Sequence, residues 1–394
     1  MRHSPSSSQQ PGEQPMRIVM IGQRGLPPTH GGVEHHVAHL GRRLAERGHQ
    51  VTAFCRTNYV TERSADYQGI RLRHLPTIGS KHLDAIVHSA LSTTVAGMPD
   101  IVHYHALGPG LCAPLPRYLS GTRVVQTVHG LDDRRAKWGR AARSVLRTAR
   151  WVSDRVPDAV VAVSEEVLGS YAGSRRGLTV HIPNGVERPA RPARGSADRF
   201  GLRPGRYVLY VGRLVPEKAP DLLIRAFREL PGDTELVIAG GSSFTDDYVD
   251  ELRKLAAADS RVRMLGYVYG DDLAALYADA GAFVQPSVLE GMPLTLLEAL
   301  SHAVPVVASD IAPHLEVLGG DAPGGRIFRG GDAGHLRDVL AAVLAGSAAE
   351  REGAAKRRDD VLDRYSWDTA VDALEELYRV LLRRPAQAAS RAAR

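Results

Sequence analysis

Apolar positions along the chain recur in two rhythms that alternate from end to end. Short unbroken apolar runs, the first at 17–22, read as strands buried on both faces. Between such runs the apolar residues return every three or four positions: Val33, Val37, Leu40 and Leu44 share one face of a helix that Gly48 ends. The alternation predicts further strands at 50–55, 100–105, 123–130 and 158–164, with a helix-compatible stretch from about 81 to 96. A second series follows at 207–213, 236–241, 262–266, 283–286 and 304–308, and 367–383 carries leucine and valine at helical spacing. Alternation of this kind builds parallel sheets with helices on both faces, so the expected fold is α/β with two doubly wound sheets.

The polar breaks divide this pattern. Pro183-Asn184-Gly185 and the proline, arginine and glycine-rich run to about Ala197 read as a linker. The expected organisation is a first domain at 16–184, a linker at 185–197, a second domain at 198–365 and a terminal helix at 366–383. Residues 1–15 have no apolar segment and are expected to be a disordered leader, not a signal peptide, and the tail at 384–394 is expected to be mobile. A length of 394 residues suits two domains, and no apolar run is long enough to span a bilayer. Cys55 and Cys112 are too few for a disulfide framework or a cysteine metal site, which fits a reducing cytoplasm. A net charge of +6 suits anionic partners without naming one.

The richest chemistry lies at 289–300. Gly291 permits a tight turn, Pro293 suits the first helical position, and the leucine and alanine run behind it is a strong helix former. The first amides of such a helix make an anion pocket suited to a diphosphate. Glu290 precedes that pocket, and Glu298 lies roughly 8 Å further along, within reach of hydroxyls on an attached sugar. An amphipathic helix with two solvated acids fits the same spacing. Arg213 and Lys218, after strand 207–213, can hold a diphosphate without a metal, or can form a surface salt-bridge loop. The glycine-rich loop at 23–32 ends in Gly31 and Gly32, which allow backbone close to a phosphate, but no dinucleotide fingerprint is present, so NAD is not expected.

His129, at the end of strand 123–130, can exchange a hydrogen bond with a sugar hydroxyl, and His103 and His105 are weaker candidates. His35 and His39 stand one helical turn apart without a third ligand at suitable spacing and are expected at the surface. No Asp-x-Asp triplet occurs, so no metal is expected. From Arg134 to Arg155 the chain is densely basic with two tryptophans, a pattern that fits either a solvated basic face or contact with an anionic membrane. It lacks any nucleic-acid module.

Glu290-x7-Glu298 with the following 301–309 stretch, Arg213-x4-Lys218 and Val128-His129-Gly130-Leu131-Asp132 together resemble the retaining family 4 glycosyltransferases of the GT-B fold, in particular those of bacterial polysaccharide assembly. The resemblance runs from Met16 to about Arg383. It implies two Rossmann-like domains facing a cleft, with the terminal helix crossing back onto the first. It also implies transfer of a sugar from a nucleoside-diphosphate sugar to a glycan or polyprenyl-diphosphate-linked acceptor, with no cofactor and no metal. By the same resemblance Arg213 and Lys218 bind the diphosphate, Glu290 the transferred sugar and Glu298 the ribose, while His129 meets the sugar from across the cleft. Gly31, Gly32, Gly291, Met292, Leu294 and Thr295 would line the donor, with Tyr267 near the base. The expected location is the cytoplasm or the inner face of the plasma membrane. Two rivals share these features: a sugar-nucleotide epimerase, which needs cleft acids placed for proton transfer, and a non-catalytic nucleotide-sugar-binding protein.

Overall fold

The computed structural model describes residues 14–28, 31–59, 63–78, 84–131, 140–173, 178–189, 195–243, 245–346 and 348–384, with side chains at 140–143 excepted. The expected leader up to residue 13, the linker residues 190–194, the tail from 385 and Arg134, Arg135, Lys137 and Trp138 of the basic stretch lie outside them.

The first half runs β1 (Arg17–Ile21), α1 (Gly32–Glu46), β2 (Gln50–Arg56), β3 (Asp66–Tyr67), β4 (Ile70–Leu75), α2 (Asp84–Val95), β5 (Ile101–His105), α3 (Leu107–Gly110), β6 (Arg123–Val128), α4 (Arg140–Arg155), β7 (Ala159–Ala162), α5 (Glu165–Gly169) and β8 (Leu178–His181). The second runs β9 (Tyr207–Val211), α6 (Pro220–Arg228), β10 (Glu235–Ala239), α7 (Asp246–Ala257), β11 (Val262–Gly266), α8 (Gly270–Asp279), β12 (Ala282–Gln285), α9 (Leu294–Ser301), β13 (Val306–Ser309), α10 (Ala312–Leu318), β14 (Gly325–Phe328), α11 (Ala333–Leu344), α12 (Ala348–Arg364) and α13 (Trp367–Arg383).

Two separate sheets result. The first has the order β3-β4-β2-β1-β5-β6-β7-β8, the second β11-β10-β9-β12-β13-β14. All pairings are parallel except the β3–β4 hairpin. In both sheets the chain winds outward one way and then the other from a central strand. Each therefore has a crevice at the carboxyl ends of its middle strands, between β1 and β5 and between β9 and β12, where ligands of open α/β sheets bind. At the first crevice Gly22, with φ 132°, brings β1 so close to β5 that an added Cβ would lie 2.3 Å from the His105 carbonyl oxygen.

Four strands depart from the sequence expectation. β4 and the short β3 were not expected because Arg71, Arg73 and His74 break the apolar run, although Ile70 and Leu72 point inward at strand spacing. β8 is only half-buried, and β14 starts on a glycine; neither presents an apolar run.

The terminal helix α13 belongs to the first core. Trp367, Val371, Leu374, Tyr378 and Leu381 are buried with Val37, Leu40 and Leu44 of α1. Burying side chains of this size contributes about 1.5–3 kcal/mol each, enough to hold the helix on the first domain. The chain crosses between the sheets twice at one place: the Val186 N–H donates to the Tyr365 carbonyl at 2.7 Å, and a Cβ on Gly185 would lie 2.2 Å from the Trp367 nitrogen.

Candidate active site

On the second domain, β9 delivers Arg213, and one tight turn at Pro216–Lys218 delivers Lys218. The Lys218 ammonium forms a short ion pair with Glu290 Oε1. Gln285, the last residue of β12, donates from Nε2 to the same oxygen at 2.8 Å, and its Oε1 accepts from Thr295 Oγ1 at 2.9 Å. Glu290 is 8% exposed. Burial works to raise its pKa, but the Lys218 charge overcomes it and holds the carboxyl at about 2.

The helix α9 starts at Leu294, one residue later than the sequence pattern suggests. Pro293 instead occupies the cap with ψ 82°, outside the helical range. Glu298 accepts from the Tyr277 hydroxyl of α8 at 3.0 Å, and burial pushes its carboxyl up to about 7. Met292 turns its side chain into the second core, so it can offer a ligand only its backbone. The Tyr267 ring, 42% exposed, lies over Gly241, and its hydroxyl donates to the Ser242 carbonyl at 2.8 Å. Burial raises the Tyr267 phenol while the charges of Arg213 and Arg24 pull it down, which sets cations from both domains around this ring.

The first domain meets these groups directly. A Cβ on Gly291 would fall 1.8 Å from the His129 carbonyl oxygen, so the turn after Glu290 touches the loop after β6 backbone to backbone. Leu294 packs against both cores and sits 3.3 Å from where a Cβ on Gly32 would be. Gly31, Gly32, His129, Glu290, Gly291 and Leu294 thus converge on one cleft. His129 Nε2 lies 3.4 Å from His105 Nδ1, and burial lowers the pKa of both rings well below the ordinary value, leaving them neutral. His103 is turned away, between the Tyr378 hydroxyl at 2.6 Å and Thr127 Oγ1 at 2.7 Å.

The helical-turn pair His35 and His39 does not stand free at the surface. Both are half-buried, and His39 stacks on Trp367 with ring centroids 4.7 Å apart. The histidines that come together are His36, His105 and His129, whose ligand nitrogens lie within 4.8 Å of one another.

The sequence matches the family described as Glycosyltransferase Family 4 over residues 30–188 and that described as Glycosyl transferases group 1 over residues 200–359, one match on each sheet. The chain belongs to glycosyltransferase family 4. Glycogen synthase of Mycobacterium tuberculosis strain CDC 1551 / Oshkosh is 28% identical over 92% of this chain and 94% of its own. D-inositol 3-phosphate glycosyltransferase of Mycolicibacterium paratuberculosis is 28% identical over 94% of this chain and 91% of its own. Among solved structures, sucrose-phosphate synthase of Thermosynechococcus elongatus superposes with a TM-score of 0.80 at 23% identity, covering 94% of this chain and 99% of that one. That likeness establishes the GT-B fold.

This glycosyltransferase uses nucleoside-diphosphate sugars in glycan biosynthesis. Its cleft also contains groups that sequence reasoning passed over. Gln285 was findable as the one polar residue closing a buried apolar strand. Tyr277 and His36 gave no such signal, because each sits at an ordinary position of an amphipathic helix and gains its role from a partner on another element. On α4, Val145, Arg147 and Trp151 are exposed, whereas Arg150 turns inward to Ser170 and stacks on Tyr171 at 3.5 Å. No helix among the described residues is long and apolar enough to cross a membrane.

Proposed function

We propose that the enzyme transfers the sugar to a glycan or lipid-linked acceptor with retention at the anomeric carbon and without a metal ion. The observation that carries this reading is the Lys218–Glu290 pair, buttressed by Gln285 and held where Gly291 touches His129. Negative charge grows on the departing diphosphate in the transition state, so fixed cations there accelerate the step itself. Lys218 and Arg213 supply that charge from the second domain.

Glu290 stays ionised and immobile, which suits it to orient hydroxyls of the transferred sugar and leaves it poor as a general acid. Glu298, just over one turn into α9, takes the ribose hydroxyls. The neutral imidazole of His129 exchanges a hydrogen bond with the sugar from the opposite domain. With no acid and base paired across the cleft among the described residues, the acceptor proton passes to the leaving phosphate oxygen as the new bond forms on the same face. Gly31 and Gly32 admit the diphosphate close to backbone, and the Tyr267 ring lies beside the base.

The acceptor is brought from the cytoplasmic face of a membrane. Arg147 and Trp151, exposed one turn apart, give α4 a cationic and aromatic face suited to an anionic leaflet. The test is diphosphate release from UDP-, GDP-, dTDP- and ADP-sugars in chelator, with and without a polyprenyl-diphosphate-sugar acceptor, followed by the anomeric configuration of the product. The expected result is one preferred donor, release stimulated by acceptor and indifferent to chelator, and a product with the donor's configuration. An inverted product, or activity abolished by chelator and restored by a divalent ion, overturns the reading.

A further inference from the structure

His36 from α1, His105 from the end of β5 and His129 from the loop after β6 offer three imidazole nitrogens within 4.8 Å of one another, although no two of the rings are neighbours in sequence. The 3.4 Å between His129 Nε2 and His105 Nδ1 is long for a hydrogen bond. It matches the separation of about 3.4 Å between two nitrogens that each sit about 2.0–2.1 Å from one tetrahedral ion. His36 and His129 meet edge to face with centroids 4.6 Å apart, so an edge of one ring is turned towards the other.

The surroundings resemble a finished ligand set. Asn184 Oδ1 lies 2.6 Å from His36 Nδ1. With that oxygen accepting, Nδ1 carries the proton and Nε2 keeps its lone pair, the outer-sphere arrangement that orients a metal-binding histidine. His36 Nε2 is buried and has no hydrogen-bond partner, and neither has His105 Nε2. His36 is 2% exposed and His105 0%. Orphaned buried nitrogens are costly, and a bound ion would satisfy one. Imidazole ligands without a carboxylate favour zinc-like ions over magnesium or calcium, which require oxygen.

We propose that His36, His105 and His129 form a binding site for a divalent transition-metal ion of the zinc class, and that an ion there holds His129 away from the donor sugar and inhibits transfer. The fourth ligand position would open towards the cleft, since His129 alone of the three is only half-buried. The inhibitory half of this inference rests on the role given to His129 above; the site itself does not. It is separate from the donor diphosphate, whose charge Lys218 and Arg213 meet.

The test uses the full chain, stripped with chelator and titrated with Co2+ as a spectroscopic probe. One equivalent should produce the visible absorption of tetrahedral Co2+, and Zn2+ should displace it. His36→Gln and His129→Gln should each weaken binding at least about tenfold at unchanged melting temperature. His129, at the cleft edge, keeps the test usable if the buried His36 variant fails to fold. Zn2+ should then inhibit wild-type transfer with a midpoint equal to its binding midpoint, whereas Mg2+ should not. No tetrahedral spectrum, or one that survives in both variants, overturns the site. Stoichiometric binding without inhibition overturns the role of His129 in transfer and leaves the site standing.

Discussion

Glu290 and His129 approach each other from opposite sides of the cleft, both largely withdrawn from water, yet one carries a full charge and the other none. The difference lies in their company. Glu290 accepts from the Gln285 amide on the same oxygen that meets the Lys218 ammonium, and the Lys218 charge more than offsets burial and holds its pKa at about 2. His129 faces other histidines, which add to the effect of burial and keep its ring neutral. Glu298 shows that this is not a property of acids or of the second domain. With the Tyr277 hydroxyl as its side-chain partner among the described residues, burial pushes its carboxyl up to about 7. On the proposed roles, the second domain holds a fixed ion pair where a diphosphate would be gripped, and the first presents uncharged hydrogen-bonding groups to a neutral sugar.

The sharpest way to break this division is Lys218→Ala. It removes a cation from the leaving group and strands Glu290 as a buried carboxylate, so kcat/KM should fall by about 10²–10³-fold. Stability should fall as well, by up to about 3–5 kcal/mol, and less to the extent that Lys218 is 17% exposed to solvent. Adding Glu290→Gln should restore most of the melting temperature and none of the activity. If the single variant is as stable as wild type, the pair is not what holds Glu290 charged. Gly291→Ala should come next, because its Cβ would collide with the His129 carbonyl at 1.8 Å and force the two sides apart. Displacement of about 1 Å at a reacting centre costs about 10²-fold in rate. Donor affinity, set on the second domain, should change much less, and a parallel loss of both would refute the placement. Glu298→Ala should cost roughly 1.5–3 kcal/mol of donor binding, measured calorimetrically, and leave the anomeric outcome unchanged.

What could be read in the sequence was whatever depends on neighbours along the chain. The terminal helix spans Trp367–Arg383 as its apolar spacing indicates, and Arg213, Lys218 and Glu290 stand out because charged residues follow apolar strands or precede a helix. What could not be read depends on distance closed by folding. Lys218 and Glu290 are 72 residues apart in sequence, and nothing local indicates that they neutralise each other. His35 and His39 drew notice through helical spacing, whereas the clustered set uses His36 and two residues from separate strand ends. Pro293 shows the limit of local preference: suited to a first helical turn, it is held in the cap, and the backbone contact between Gly291 and His129 next to it fixes the approach to α9.

The smallest expected effect isolates Glu298. In the free enzyme its carboxyl is half-protonated near neutrality, and only the ionised form accepts from both ribose hydroxyls. Donor binding should therefore weaken as pH falls through about 7 and level off above it. The sign for stability is opposite. A folded-state pKa above the unfolded value means that the neutral form is favoured, so stability is fully present below the unfolded pKa and is lost as pH rises through about 7. Bound donor should cancel part of that loss. Tyr277→Phe removes the hydroxyl that stabilises the carboxylate and should move both midpoints to higher pH while leaving affinity at high pH least affected. An intact nucleoside-diphosphate sugar is the right probe, because its doubly esterified diphosphate does not titrate in this range as a free terminal phosphate would. A flat affinity profile, or a midpoint displaced downward in the variant, would show that Glu298 already holds its charge and that the contrast with Glu290 is one of degree alone.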